Sequence, residues 1–224
     1  MRLDQFLDNL DAMMPNAYTS AQKTVWVSDL EAIVWTQICL QPAGLWHPYR
    51  YGRDGRGRLF LPDSWQRVYT AYLGAMMQFA NGEYNQYENA MTLYNGYMGE
   101  LGAWYAQTFD PASHPARWVR WGMVSAQELA QGKALGYRSP DSALLGVELR
   151  LTEPLDGEGT VSIQGTDSGE TLFEVDITQD DGGVLLCGGL VLPGRWGECL
   201  KVCYDGESLS QGQIELWALT QDFV

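Results

Sequence analysis

Four arginines fall within a short span at Arg50, Arg53, Arg56 and Arg58, inside the stretch PAGLWHPYRYGRDGRGRLFL from Pro42 to Leu61. Guanidinium forks pair with carboxylate and phosphate alike, so this cluster is a candidate contact for an acidic partner surface or for DNA. A solvated loop tip is the competing reading. Arg117-Trp118 and Arg120-Trp121 place guanidinium and indole side by side. That pairing suits cation–π stacking or burial in an interface, and a local packing cluster competes with it. Further along, Trp196, Tyr204 and Trp217 are candidates for a sugar-stacking platform, and Asp156, Glu158, Asp180 and Asp181 are turn carboxylates of the kind calcium uses. Core tryptophans and solvated turn acids are the alternatives, since Trp217 lies in the strand-like QIELWALT.

Catalytic patterns are missing from the sequence. No G-x-S-x-G, no H-E-x-x-H and no Cys/His couple stands out, and the glycines after Tyr51 match neither a dinucleotide fingerprint nor a phosphate loop. With 28 acidic residues, no carboxylate pair can be singled out for hydrolysis. His47 and His114 both sit beside prolines, which argues against a zinc site. The expectation is a non-enzymatic chain without a cofactor or metal.

The 224 residues have room for two cores, and 46% hydrophobic with 12% aromatic content is ample for folding. No apolar run is long enough to span a bilayer, and MRLDQFLDNLDAMM reads as an amphipathic helix rather than a secretion signal. A bacterial host cytoplasm is the expected address. There Cys39, Cys187, Cys199 and Cys203 stay reduced, although Cys187 could meet Cys199 or Cys203 across strands. Net charge is −14. The nine basic and eleven acidic side chains through Arg120 give −2, and the remainder carries −12. Such a surface repels the phosphate backbone, so DNA is expected at most to pass by without sticking.

Periodicity supplies the elements that must carry these residues. Leu3, Phe6, Leu7 and Leu10 define a first helix that Pro15 ends, and Thr19 with Gln22 forms a capping box for a second. The segment from Pro42 to Leu61 reads as a long loop or β-hairpin arm. Asp63 is placed to cap a third helix that closes at Asn81-Gly82. A fourth helix carries Tyr84, Tyr87, Met91, Tyr94, Met98, Leu101 and Tyr105 as one seam, with Leu93, Tyr97 and Trp104 as a second apolar row. Thr92, Gly96, Gly99, Ala103 and Ala106 make a small-residue row. Interior helical glycines cost about 1 kcal/mol each against alanine, so these positions suggest close approach of another backbone. From Ala143 onward the pattern turns to period two: LLGVELRLT, TVSIQG, TLFEVDIT, GVLLCGGLVL, ECLKVCYD and QIELWALT predict six short strands. The expected fold is α+β with two domains: a helical bundle with a long helical hairpin at 1–110, a linker with short elements at 111–142, and an antiparallel β-sandwich at 143–224.

One family resemblance follows from these residues. PNAYTSAQKTVWVSDLEAIV, and LFLPDSWQRVYTAYLGAMMQFANGEYNQYENAMTLYNGYMGELGAWY with Ala-Asn-Gly-Glu-Tyr at its turn, resemble phage head–tail connector (adaptor) proteins. The resemblance covers the first ~110 residues and leaves the C-terminal half unassigned. It implies a phage or prophage virion structural protein, an oligomer on assembly, with portal or tail components as partners and DNA passing through a ring. A glycan- or host-surface-binding module carried on a helical domain is the alternative. No small-molecule ligand is identified.

Overall fold

The structure is a computed structural model that describes residues 1–46, 48–52, 54–178, 183–191 and 198–223. It is α+β, with helices in the N-terminal half and two antiparallel sheets in the C-terminal half. Contacts divide the chain into two compact units. One holds residues 1–55 and 61–114, the other 56–60 and 115–223.

In the first unit, α1 (Leu3–Met13) buries Leu3, Phe6, Leu7 and Leu10, the i, i+3, i+4, i+7 stripe that a 3.6-residue period sets on one face. α2 (Ser20–Ile33) opens on the Thr19 capping box, with the Gln22 amide N–H donating to Thr19 Oγ1 at 3.2 Å. A π-helical turn over Val34–Ile38 follows α2 directly and buries both Val34 and Trp35. One extra residue per turn rotates the chain, which lets neighbouring side chains both face inward.

No strand appears between Pro42 and Leu61 among the described residues. The segment carries 3₁₀ turns at Ala43–Leu45 and Asp54–Arg56, so the β-hairpin alternative does not form. α3 (Gln66–Ala80) begins after a 3₁₀ turn at Asp63–Trp65, and no side chain caps it. The expected Asp63 cap fails because that turn moves the N-cap position to Trp65. Gly82, at φ 77°, then turns the chain into α4 (Tyr84–Phe109).

α3 and α4 meet through aromatic pairs: Trp65 with Trp104 at 5.5 Å and Tyr72 with Tyr94 at 5.2 Å. Tyr94, Leu101 and Tyr105 of the expected seam are buried, but Tyr84 is 61% exposed. It meets only the last turn of α3, its ring against the half-exposed Phe79. A polar chain crosses this core: Leu61 N–H donates to the Tyr69 hydroxyl at 3.0 Å, and that hydroxyl donates to the fully buried Glu31 carboxylate.

In the second unit one sheet runs β1-β8-β3-β6, with β1 (Arg117–Ser125), β3 (Ser142–Glu153), β6 (Gly183–Val191) and β8 (Gln213–Asp222). The other runs β2-β7-β4-β5, with β2 (Lys133–Arg138), β4 (Gly159–Gly165), β5 (Thr171–Ile177) and β7 (Glu198–Gly206). All pairings are antiparallel. The six strands read from the sequence are present, and the stretch 111–142 adds β1, β2 and the short α5 (Ala126–Gln131). One apolar cluster draws on both sheets, with Val147, Leu149, Ile214 and Leu216 from the first and Val161, Ile163, Leu200 and Val202 from the second. Alternation along each strand leaves the intervening residues facing away from that cluster.

Candidate interaction surfaces

Strand register builds a compact polar face on the first sheet. β8 buries Ile214, Leu216 and Ala218, so Glu215 and Trp217 point the other way. Across the pairings Trp217 stands opposite Glu148 on β3 and Arg120 on β1, while Glu215 stands opposite Arg150 and Met123. The Arg120 Nε donates to Glu215 Oε1 at 2.6 Å, and Arg150 Nε donates to Glu148. The Arg150 Nη1 lies 4.0 Å from the second Glu215 oxygen, and its guanidinium sits 5.0 Å from the centre of the Trp217 ring.

These contacts set the local charge states. The Trp217 indole, first, holds the Glu215 carboxyl below the usual range, and the Arg120 and Arg150 guanidinia help it outweigh the opposing effect of burial. The indole Nε1 has no partner of ordinary hydrogen-bond geometry, so its pull on Glu215 is electrostatic. The hydrogen bond to Glu148 raises Arg150, keeping that cation fixed. Exposed ion pairs contribute about 0.2–1 kcal/mol each, and an exposed cation–π contact about 0.5–1 kcal/mol. The cluster therefore contributes little stability for the number of side chains it orders. Its product is a face on which two arginines, two carboxylates and one indole hold set positions beside exposed Val184 and Met123.

A second surface lies in the first unit. Only Tyr94, Leu101, Tyr105 and Phe109 of the 26 residues in α4 are buried. A Cβ built at Gly96, Gly99 or Gly102 meets nothing within 4 Å among the described residues. The small-residue row thus stands open, where close approach of a backbone was expected. Leu93 is 59% exposed, whereas its row-mates are engaged: Trp104 on Trp65, and Tyr97 beneath the Arg67 guanidinium at 5.0 Å. Arg67 also donates to Glu100 at 2.7 Å.

The remaining candidates scatter. Arg50 Nε lies 3.7 Å from Asp54, a local pair within its own loop. Arg56 reaches Glu174 and Asp176 at 3.9 and 3.8 Å, and Arg58 reaches Glu170 at 3.4 Å. Arg53 lies outside the described residues, as do Trp196, Asp180 and Asp181. Arg117 pairs with Asp222 at 3.2 Å. Trp118 is half-buried, and Trp121, at the bulge where β1 shifts register against β8, packs against the apolar cluster. Only Arg120 of those four joins the polar face.

Tyr204 belongs to β7 in the other sheet, so the structure does not bring it beside Trp217. Its hydroxyl donates to the Glu158 carbonyl at 2.7 Å, and burial followed by the carboxylates of Glu207, Asp156, Asp205 and Glu158 raises its pKa. Asp156 accepts from the Ser210 and Gln211 backbone and from the Ser210 hydroxyl, contacts that hold its carboxyl low. Among the described residues no three His, Cys, Asp or Glu side chains converge to hold a metal ion, and no helix is long and apolar enough to cross a membrane. Cys39, Cys199 and Cys203 are free thiols, and burial pushes Cys39 up to about 12.

Glu148, Arg150 and Glu215 were not singled out from the sequence. The signal was the alternation of Val147, Leu149 and Leu151 with Glu148 and Arg150, repeated in QIELWALT. Only the register shows that the two outward rows coincide.

No family model matches the chain, and no curated protein matches it. A chain of the cyanophage Pam1 capsid asymmetric unit is similar at a TM-score of 0.40 and 12% identity, over 48% of this chain and 85% of that one. A chain of the acid-stable capsid of Helicobacter pylori bacteriophage KHP30 gives a TM-score of 0.38 at 9% identity, over 49% and 90%. Likeness of this extent settles no role.

Proposed function

We propose that the chain is a non-enzymatic phage virion structural protein, a head–tail connector subunit that carries a β-sandwich on a helical domain. The observation that supports this reading most is α4. A helix this long with four buried residues presents most of its surface outward, and glycines at Gly96, Gly99 and Gly102 weaken it as a free-standing element. A subunit that covers this face on assembly recovers the cost through close backbone packing. The resemblance of the Ala80–Tyr84 turn and its flanking helices to connector proteins points the same way, and its neighbours are then portal or tail components and further copies of itself.

Mass spectrometry of purified particles from the phage or prophage that encodes the chain tests the reading. Peptides of this protein should co-purify with intact virions at many copies per particle. Their absence from intact particles would sink it.

A second reading has one observation in its favour: Trp217 is partly exposed on an ordered polar sheet face, as in modules that stack sugars. The Arg150 guanidinium already occupies one face of that ring. Glycan-array binding lost in Trp217→Ala would support this reading, and an empty array would remove it.

A further inference from the structure

The second unit is not one run of chain. Arg56–Phe60 belongs to it, although the chain on either side, up to Gly55 and from Leu61, belongs to the first unit. The seat of this strap has definite chemistry. Arg56 faces Glu174 and Asp176, two carboxylates on the same side of β5, and Arg58 faces Glu170 just ahead of that strand. Leu59 and Phe60 are 3% and 0% exposed. The Leu59 carbonyl oxygen lies 3.9 Å, and the Phe173 ring 3.4 Å, from the place a Cβ at Gly189 of β6 would occupy. β5 is the last strand of one sheet, β6 is the last strand of the other, and the two adjoin. The strap therefore sits at the margin where both sheets stop, the place where unguarded strands recruit other chains.

What this seat of carboxylates fits is a short segment with two cations, and the chain supplies it as Arg-Gly-Arg. The strap is held against β5 by charge pairs at partly exposed side chains. Its approach contains Gly52, at φ 83°, and Gly55, and the strap itself contains Gly57, positions that turn without a side chain to resist them. We propose that the strap is exchangeable, so that in an assembly Arg56–Phe60 of one copy seats against β5 of a second copy. This rests on the assembly reading given above. A tethered segment prefers its own seat in dilute solution, because its effective concentration there is about millimolar. Inside an assembly a neighbour's strap competes at similar concentration, and exchange of an identical element needs no new contact chemistry.

Charge reversal tests the exchange on the full chain. One copy carries Arg56→Glu and Arg58→Glu. The other carries Glu170→Arg, Glu174→Arg and Asp176→Arg. In each copy alone, strap and seat repel. Mixed in equal amounts, each strap finds an opposite charge only in the other copy. Light scattering after size exclusion should show 1:1 heterodimers in the mixture that weaken with added salt, with monomers in each separate sample. A mixture that stays monomeric, with both copies folded by circular dichroism, overturns the proposal.

If a reversed copy fails to fold, Arg58→Cys and Glu170→Cys are placed on separate chains and, as a control, together on one chain, each also carrying Cys199→Ser and Cys203→Ser, and treated with a short bismaleimide. An intermolecular adduct at high concentration supports exchange. Only an intramolecular adduct, formed when both cysteines share one chain, refutes it. These measurements use purified chain, so absence of the protein from virions ends the connector reading without deciding exchange.

Discussion

Leu101→Ala and Leu93→Ala form a matched pair that tests which way α4 faces. Both replace leucine on the same helix, so helix propensity changes equally and cancels between them. Leu101 is 0% exposed and Leu93 is 59% exposed. Truncating a buried leucine removes its transfer free energy and leaves a cavity, at a cost of about 2–5 kcal/mol. An exposed site far from any special feature changes stability by roughly 0.5 kcal/mol or less. With about 3 kcal/mol lost from the helical unit, its melting midpoint should fall by on the order of 10 °C, at the few degrees per kcal/mol usual for domains near this size. Circular dichroism at 222 nm follows the helices, while calorimetry separates this transition from that of the β unit, which two units require. Leu101→Ala should lower the first transition and leave the second in place, and Leu93→Ala should move neither in the dilute chain. Equal destabilisation by the two substitutions would refute the orientation of α4. An unchanged monomer with weakened assembly in Leu93→Ala is the outcome expected if this face is covered by a neighbour.

The other predictions concern separate parts of the molecule. Gly96→Ala and Gly99→Ala should each stabilise the dilute chain, by up to about 1 kcal/mol, because the added methyl meets no neighbour; a lower melting temperature in either would show that the row is already packed. Lys23 is 1% exposed and bonds both Asp11 oxygens at 2.5 Å, so Asp11→Asn should cost about 1–3 kcal/mol, less than for a fully buried pair since Asp11 is partly open to water. Burial works to raise the Asp11 carboxyl, but the Lys23 and Asn16 hydrogen bonds and the Lys23 charge outweigh it and hold the folded pKa low. Its contribution is thus complete above the unfolded value near 3.8 and is lost as pH falls through the lower folded value, and an acid melting series on wild type and Asp11→Asn should converge there. Burial, then the Tyr72 hydroxyl, pushes Tyr94 up to about 12. Its share of stability is full below pH 10.0 and disappears as pH climbs toward 12, a loss that Tyr94→Phe should lessen in alkaline unfolding.

Legibility followed the range of the interactions. The Thr19–Gln22 box spans three residues, and the α1 stripe and the period-two alternation of β3 and β8 are equally local, so the sequence displays them directly. Tyr84 looks like the rest of its seam because periodicity records the phase of a helix and not where its partner helix stops. The Arg56–Phe60 strap was read as the tip of an arm because its pairing residues, Glu170, Glu174 and Asp176, lie more than a hundred positions away, and glycine-arginine alternation carries no record of them. The polar face has the same origin. Arg120, Glu148, Arg150, Glu215 and Trp217 come from three strands, and their meeting depends on a strand order, β1-β8-β3, that no single window contains.

That order has a consequence for how the chain is made. β8 fits between β1 and β3, which emerge from the ribosome some 60 to 100 residues earlier. Until it arrives, the first sheet lacks its middle. The strap is synthesised earlier still, more than a hundred residues ahead of Glu170, Glu174 and Asp176, the carboxylates that pair with its arginines. The helical unit can form before the β strands have emerged, but the β unit becomes possible only once β8 has been made. A chain cut short before Gln213 would leave β1 and β3 without the strand they share.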